Sequence, residues 1–263
     1  MDIMDIIKAR RSVRTFDGQP LSASDVEKLS SYAETISNPY NVPVDFVMLD
    51  AKEHGLSSPV IKSETFYVAA KSKKVPHSEE AFGFSFEKFV LYAWSVGVCT
   101  TWLAGTLDRE IFDKAAGTKD DEFMYCVSPL GYPAETMSEI ESKFRVGLHA
   151  DERKPAQELF FDKNFSVPIA VSDEKIKTAL EAVRLAPSAT NQQPWRIVRD
   201  GNRFHFYEQH SKSLAGRGWD VQKIDMGIAL CHFMEIAGGR LVIENPGIAL
   251  PDDTEYISTV ALG

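Results

Sequence analysis

The order of elements along this chain runs twice. The first half reads as a helix, a Pro-containing loop, two strands, a long helix stopped by glycine, and a strand; the second half repeats that order. Moving the first half along by about 150 positions lays Ser22 on Ser172, Val26 on Ile176, Asn41 on Asn191 and Val47 on Ile197. One long period of this kind implies an internal duplication, so the fold is read as two related halves. In the first half the patterns predict a helix over 2–10 and a second helix opened by the capping box Ser24-Asp25-Val26-Glu27. Strands follow at 46–49 and 66–70, then loop over 71–85, a helix from Phe86 to Val96 ending at Gly97, a strand at 123–127, and an irregular charged stretch over 134–166. In the second half Ser172-Asp173-Glu174 caps a helix carrying Ile176, Ala179, Leu180 and Val183. Strands at 195–198 and 204–207, a helix over 221–237 and a strand at 255–260 complete it.

Composition narrows the function. The 263 residues are 44% hydrophobic and 25% charged, with a net charge of −9. That balance is ordinary for a soluble protein and argues against general nucleic-acid binding. An anionic ligand needs a local cluster of positive charge, and Arg10, Arg11 and Arg14 supply one in sequence. Cys99, Cys126 and Cys231 have no metal-ligand or CxxC spacing and suit a reducing compartment. The N-terminus reads as an amphipathic helix and not a signal peptide, and no apolar run is long enough to span a membrane, so the expectation is a cytoplasmic protein. His205 and His210 are too far apart to suggest a metal pair, and no metal site is expected.

Two segments carry the chemistry. The first is Arg10-Arg11-Ser12-Val13-Arg14-Thr15-Phe16, at the end of the first helix. The second is Pro187-Ser188-Ala189-Thr190-Asn191-Gln192-Gln193-Pro194-Trp195, between a helix and a strand. Arginine forks suit a phosphate, and a polar loop of small residues lets backbone approach a flat ligand. Taken singly, each has a plainer reading: cations solvated at a helix C-terminus, and a loop making its own Asx-type hydrogen bonds.

Together they resemble the FMN-dependent nitroreductase family, which pairs an Arg-Arg-Ser-x-Arg segment with a Pro-Ser-x-x-Asn-x-Gln-Pro-Trp segment. The family sets the second soon after the first; here it stands in the second half. The equivalent first-half loop is degraded to Asn38-Pro39-Tyr40-Asn41-Val42-Pro43, and the second-half counterpart of the arginines is only Asp162-Lys163-Asn164-Phe165. Each half keeps what the other lacks. The pattern resembles the single-chain, tandem-half branch of the family. Leu91 to Gly105 resembles the family's helix-Gly-x-Gly-Thr-x-Trp-x-Gly-Gly segment, with Cys99 and Ala104 in place of two glycines. Leu130-Gly131-Tyr132-Pro133 matches a further motif, and Arg153-Lys154-Pro155 resembles its basic segment.

The resemblance implies an α+β, nitroreductase-like fold: two halves, 1–160 and 161–263, each with a mostly antiparallel sheet flanked by helices, packed as an intramolecular pseudo-dimer. It implies one tightly bound FMN between the halves. Arg10 and Arg153 would serve the phosphate region, Ser12 would donate its hydroxyl, Arg14 would face the N1–C2=O edge, and Arg11 is counted among the cofactor-binding residues. Backbone at Leu103, Ala104 and Gly105 would approach N5, and Pro187, Ser188, Ala189 and Asn191 would meet the ribityl chain or pyrimidine edge. Trp195 is read as core, and Phe82, Phe84 and Phe86 as core or as cover for the ring. The implied activity is a ping-pong NAD(P)H oxidoreductase. NAD(P)H gives a hydride to N5, and two electrons pass on to a small acceptor such as a nitroaromatic or quinone. No side chain is expected to be catalytic in its own right. The missing G-x-G-x-x-G agrees with this, because the nicotinamide would share the flavin face. The alternative is a flavin-binding sensor or storage protein without turnover. A monomer is expected, with neither nucleic acid nor membrane as partner.

Overall fold

A computed structural model describes residues 1–211, 214 and 218–263. The chain forms two compact units. The first comprises Met1, Ala9–Ser78 and Ser85–Ala150, and the second Asp2–Lys8, Glu79–Phe84 and Asp151–Gly263. The expected boundary at 160/161 falls inside a strand, Phe160–Asp162, which pairs with a strand of the second unit; the main division therefore lies at 150/151.

In the first unit, α2 (Ala23–Thr35) precedes β1 (Val44–Asp50) and a short turn of helix α3 (Ala51–His54). Next come β2 (Phe66–Lys73), β3 (Cys99–Thr100), α5 (Arg109–Ala116), β4 (Glu122–Phe123), β5 (Val127–Gly131) and α6 (Glu139–Gly147). The sheet order is β1-β2-β5-β3, all antiparallel, with β4 also on β2. Tyr67 and Ala69 of β2 and Val127 of β5 meet Leu103 and Phe112 in the core of this unit. The cap of α2 is Ser22 rather than Ser24: Ser22 Oγ accepts the Asp25 N–H and donates to the Asp25 carboxylate. Ser-x-x-Asp and Ser-x-x-Glu patterns overlap there, and the earlier one wins because its acid is within reach.

In the second unit, α1 (Ile3–Ala9) contributes its first residues. The unit then holds α7 (Ala156–Leu159), β6 (Phe160–Asp162), α8 (Glu174–Leu185), β7 (Trp195–Asp200), β8 (Arg203–Gln209), α9 (Val221–Ala237), β9 (Arg240–Val242) and β10 (Thr254–Ala261). The sheet order is β6-β7-β8-β10-β9, antiparallel except for β6 beside β7. Asp173 caps α8, and the predicted stripe of Ile176, Ala179, Leu180 and Val183 is buried. Trp195 is fully buried.

The duplication is visible in topology. Strands β1-β2-β5-β3 and β7-β8-β10-β9 have the same order and the same antiparallel pairing. The aligned residues Asn41 and Asn191 both take the left-handed backbone conformation, at φ 56° and 57°. The connections differ. Residues 51–65 join β1 to β2, but only Gly201 and Asn202 join β7 to β8, whereas the link from β8 to α9 is the longer of its pair.

Helix α4 runs from Ser78 to Ser95. Residues 78–85, expected as loop, are its first two turns. Gly83, within those turns, sits at a helix crossing. A Cβ there would sit 2.1 Å from the Ile224 carbonyl oxygen of α9, and one on Gly227 would sit 2.1 Å from the Glu80 carbonyl oxygen. The contact is reciprocal, backbone against backbone. The stretch 134–166 is also less irregular than its charge suggested, since it contains α6, α7 and β6.

Candidate functional site

The arginine segment leaves α1 as extended chain. Ser12 bridges Thr100 in parallel, and the Val13 N–H donates to the Thr100 carbonyl at 3.0 Å. The three arginines that follow from this path have different environments. The Arg10 side chain is 5% exposed, with its Nε 4.0 Å from Glu87 Oε1. Its Nε and Nη1 have no hydrogen-bond partner among the described residues. Burial pulls its basicity down and Glu87 restores part of it. A buried guanidinium with idle donors is expensive unless an acceptor completes it.

Arg11 is occupied: its Nη1 donates to Glu141 Oε1 at 2.7 Å. The other oxygen of Glu141 accepts the Arg14 N–H at 2.9 Å, so one carboxylate fixes the segment at two points. Arg14 itself lies over the Phe144 ring, 5.0 Å from the centroid, and its Nε also has no partner among the described residues. Burial lowers its basicity, Glu141 opposing and Arg145 adding.

Leu103 exchanges both backbone hydrogen bonds with Val127 at 2.9 Å. Ala104 and Gly105 follow in a turn whose Ala104 carbonyl accepts Arg109 Nη2 at 3.1 Å. Arg109 also donates to the carbonyls of Met124 and Tyr125. One planar fork thus gathers three carbonyls and sets the turn.

The Pro187–Trp195 loop belongs to the second unit and is cross-braced. Ser188 Oγ accepts the Gln193 N–H at 2.8 Å, and Gln193 Oε1 accepts the Lys154 N–H at 2.8 Å. Asn191 Nδ2 donates to the Glu152 carbonyl at 3.1 Å, and Arg153 Nη1 lies 3.4 Å from Asn191 Oδ1. The loop therefore brings Arg153 beside Asn191, joining two separately predicted residues. A single 3-10 turn, Ala189–Asn191, sits at its centre. Thr190, Asn191 and Gln193 all have positive φ, at 48°, 57° and 51°. Such strain in residues other than glycine persists only where the surroundings enforce it. Beneath the loop, the Ala189 N–H donates to Asp225 Oδ1 of α9 at 3.0 Å. Asp225 is 2% exposed, and its Oδ2 has no partner among the described residues. Burial raises its carboxyl well above the usual range, partly offset by the Ala189 N–H, with Asp220 adding to the rise.

Arg10, Arg11, Ser12, Arg14 and the 103–105 turn thus lie in the first unit, and Arg153, Pro187, Ser188, Ala189 and Asn191 in the second. Phe82, Phe84 and Phe86 lie buried within α4. Four supporting residues escaped the sequence reading: Glu87, Arg109, Glu141 and Asp225. Glu141 had a signal, since Ser138-Glu139-Ile140-Glu141 is a capping pattern and Ser138 does cap α6. Asp225 had one too, as a lone acid in an otherwise apolar run of α9.

Against known proteins, a family described as "Putative TM nitroreductase" matches residues 2–237. No curated protein matches. A solved structure of a "putative nitroreductase" from Thermotoga maritima is 22% identical with a TM-score of 0.63, the alignment covering 100% of this chain and 94% of that one. A nitroreductase family protein from Clostridium difficile aligns with 60% of this chain and 96% of its own, at 14% identity and a TM-score of 0.47. An iodotyrosine deiodinase bound to FMN and 3-iodo-L-tyrosine aligns with 52% of this chain and 92% of its own, at 15% identity and a TM-score of 0.42. The last two similarities are too slight to argue from. The first shares the fold along its whole length, and the sequence match spans nearly all of the same residues: this chain belongs to the family described as "Putative TM nitroreductase".

Proposed function

We propose that the protein is an FMN-dependent oxidoreductase that takes electrons from NAD(P)H and gives them to a small acceptor of the nitroaromatic or quinone type. The observation that carries this reading is Arg10. Its guanidinium is almost fully buried, yet two of its nitrogens have no hydrogen-bond partner among the described residues. An anion with several oxygens, such as the FMN phosphate, would complete it. Arg14 offers a second idle donor for an electron-rich edge of the cofactor. Arg11 takes a different part from the one its sequence suggests. Glu141 holds it, so it braces the segment rather than binding the cofactor.

The complementary losses in the two sequence halves support a single FMN per chain. Ser188, Asn191 and Arg153 are held by hydrogen bonds to Gln193, to the Glu152 carbonyl and to one another. The backbone of Ala104 and Gly105, fixed by Arg109, is offered to the ring. Bound FMN would supply two-electron exchange with both substrates; the protein's own residues bind, orient and electrostatically tune it.

The test is the absorbance spectrum of purified protein, with released FMN quantified against chain, followed by NADH or NADPH under anaerobic conditions. About one FMN per chain, bleached by nicotinamide and restored by acceptor, is expected. Arg10→Ala should lose most of its FMN, and Arg11→Ala far less. Flavin that never bleaches would point to a binding protein without turnover. No flavin, even after reconstitution, would sink the proposal.

A further inference from the structure

We infer that the end of β8 and the start of α9 form a divalent-cation site of the Zn2+ type, with Glu208, His210 and Asp220 as its ligands. One atom from each of these residues lies within 4.8 Å of the other two. His210 Nδ1 is 2.7 Å from Glu208 Oε1 and 3.9 Å from Asp220 Oδ2. Donors around a tetrahedral Zn2+ with bonds near 2.0–2.1 Å stand about 3.3 Å apart. The two observed separations bracket that value, so small side-chain rotations would complete the geometry. One imidazole and two carboxylates suit Zn2+, with a water in the remaining position.

The second observation is Glu208 itself. Its side chain is fully buried, and neither carboxylate oxygen has a hydrogen-bond partner among the described residues. The 2.7 Å approach of His210 Nδ1 is an ion-pair contact without the alignment of a hydrogen bond. A carboxylate buried there stays charged only beside a cation. Lys223 Nζ, nearby, pairs with Glu255 Oε1 at 3.3 Å.

The surroundings are built to hold the ligands. The His210 N–H donates to the Asp253 carbonyl at 2.8 Å. Gln222, buried in the first turn of α9, brackets His210: its Oε1 accepts the Ser211 N–H at 2.6 Å and its Nε2 donates to the Gln209 carbonyl at 3.2 Å. Asp220 caps α9 with Oδ1, accepting the Gln222 N–H at 2.9 Å, which leaves Oδ2 for an ion. His210 Nε2 lies 3.3 Å from Glu255 Oε2. A carboxylate at that nitrogen fixes the tautomer that turns the Nδ1 lone pair towards a metal. His210 is 38% exposed on its side chain, which gives an ion and its water a way in. The repeat partner of this region in the first half, from Lys73 to Ser78, is too short to carry such a set. The site is thus particular to the second half, and it abuts the 187–195 segment, since Glu208 pairs with Trp195 across the sheet.

The experiment uses the full chain, treated with chelator and dialysed. Zn2+ is then titrated by calorimetry, and Co2+ is followed by its visible spectrum. One Zn2+ per chain is expected, with Co2+ bands of a four- or five-coordinate N/O site. His210→Ala should weaken binding about 100-fold or more, and Asp220→Asn, which keeps the helix cap, about tenfold. Both variants should retain the wild-type circular dichroism and FMN content. No stoichiometric uptake, equal affinity in His210→Ala, or a thiolate charge-transfer band from Cys99, Cys126 or Cys231 would each overturn the inference.

Discussion

The loops after α2 and after α8 occupy equivalent places in the two halves and have opposite characters. In the first, Asn38 satisfies its loop almost alone. Its Oδ1 accepts the N–H groups of Tyr40 and Val42, and its Nδ2 reaches the Val42 carbonyl and Ser85 Oγ. Only Asn41 has positive φ there. In the second, Thr190, Asn191 and Gln193 all have positive φ, and ties from Asp225, Glu152 and Lys154 outside the loop add to its own Ser188–Gln193 bond. The first loop closes largely on itself, while the second holds an awkward backbone with ties from outside.

The comparison breaks most severely at the helix that carries Asp225. Gly227→Ala drives a methyl into the Glu80 carbonyl, and a loss of about 3 kcal/mol in urea unfolding is expected. A loss below about 1 kcal/mol would mean that α9 shifts freely under the loop. Next comes Asn38→Ala, which removes several hydrogen bonds at once. It should cost about 2 kcal/mol and leave FMN content unchanged. A flavin defect there would mean that the first loop still serves the cofactor.

Asp225→Asn sharpens the contrast through pH. Burial raises the Asp225 carboxyl in the folded state, so folding retains a proton that the unfolded chain gives up. The associated stability is complete below about pH 4 and fades as pH rises through the folded value, by at most about 1.4 kcal/mol per pH unit. The variant should lack this fade, so its stability relative to wild type should climb between pH 5 and pH 8. Parallel curves would show that Asp225 stays ionised. The smallest effect belongs to Thr190→Gly. Relief of the left-handed β-branched residue, less the entropy of glycine, should add about 1 kcal/mol or less to stability. Asn41→Gly in the other loop should change less still, because asparagine tolerates that conformation.

Much of the frame was legible because it rests on local pattern. The apolar run from Val221 and the Gly238 stop marked α9, and Asp173 with its stripe marked α8. What escaped was decided by long-range contact. Residues 78–85 read as loop but form the turns of α4 that cross α9 at Gly83; Phe160–Asp162 is too short to signal and becomes a strand only against β7. The same holds at the candidate site. Arg10 and Ser188 stood out as residue types in a pattern. Glu141 and Asp225, which hold the segments in place, gain their meaning only when distant parts of the chain meet. His210 and Asp220 are ten positions apart in the sequence, and only the return of α9 beside β8 brings them together.

The reciprocal seat of Gly83 and Gly227 bears on how such a chain can change over time. Where carbonyl meets α-carbon, the separation of the first turns of α4 from α9 is a fixed length that no rotamer adjusts. Neighbouring side chains are then released from acting as spacers. Substitutions along either helix alter volume locally without moving the axis. Loops perched on such a frame can drift, lose a chemistry or acquire another, as long as the two glycines do not.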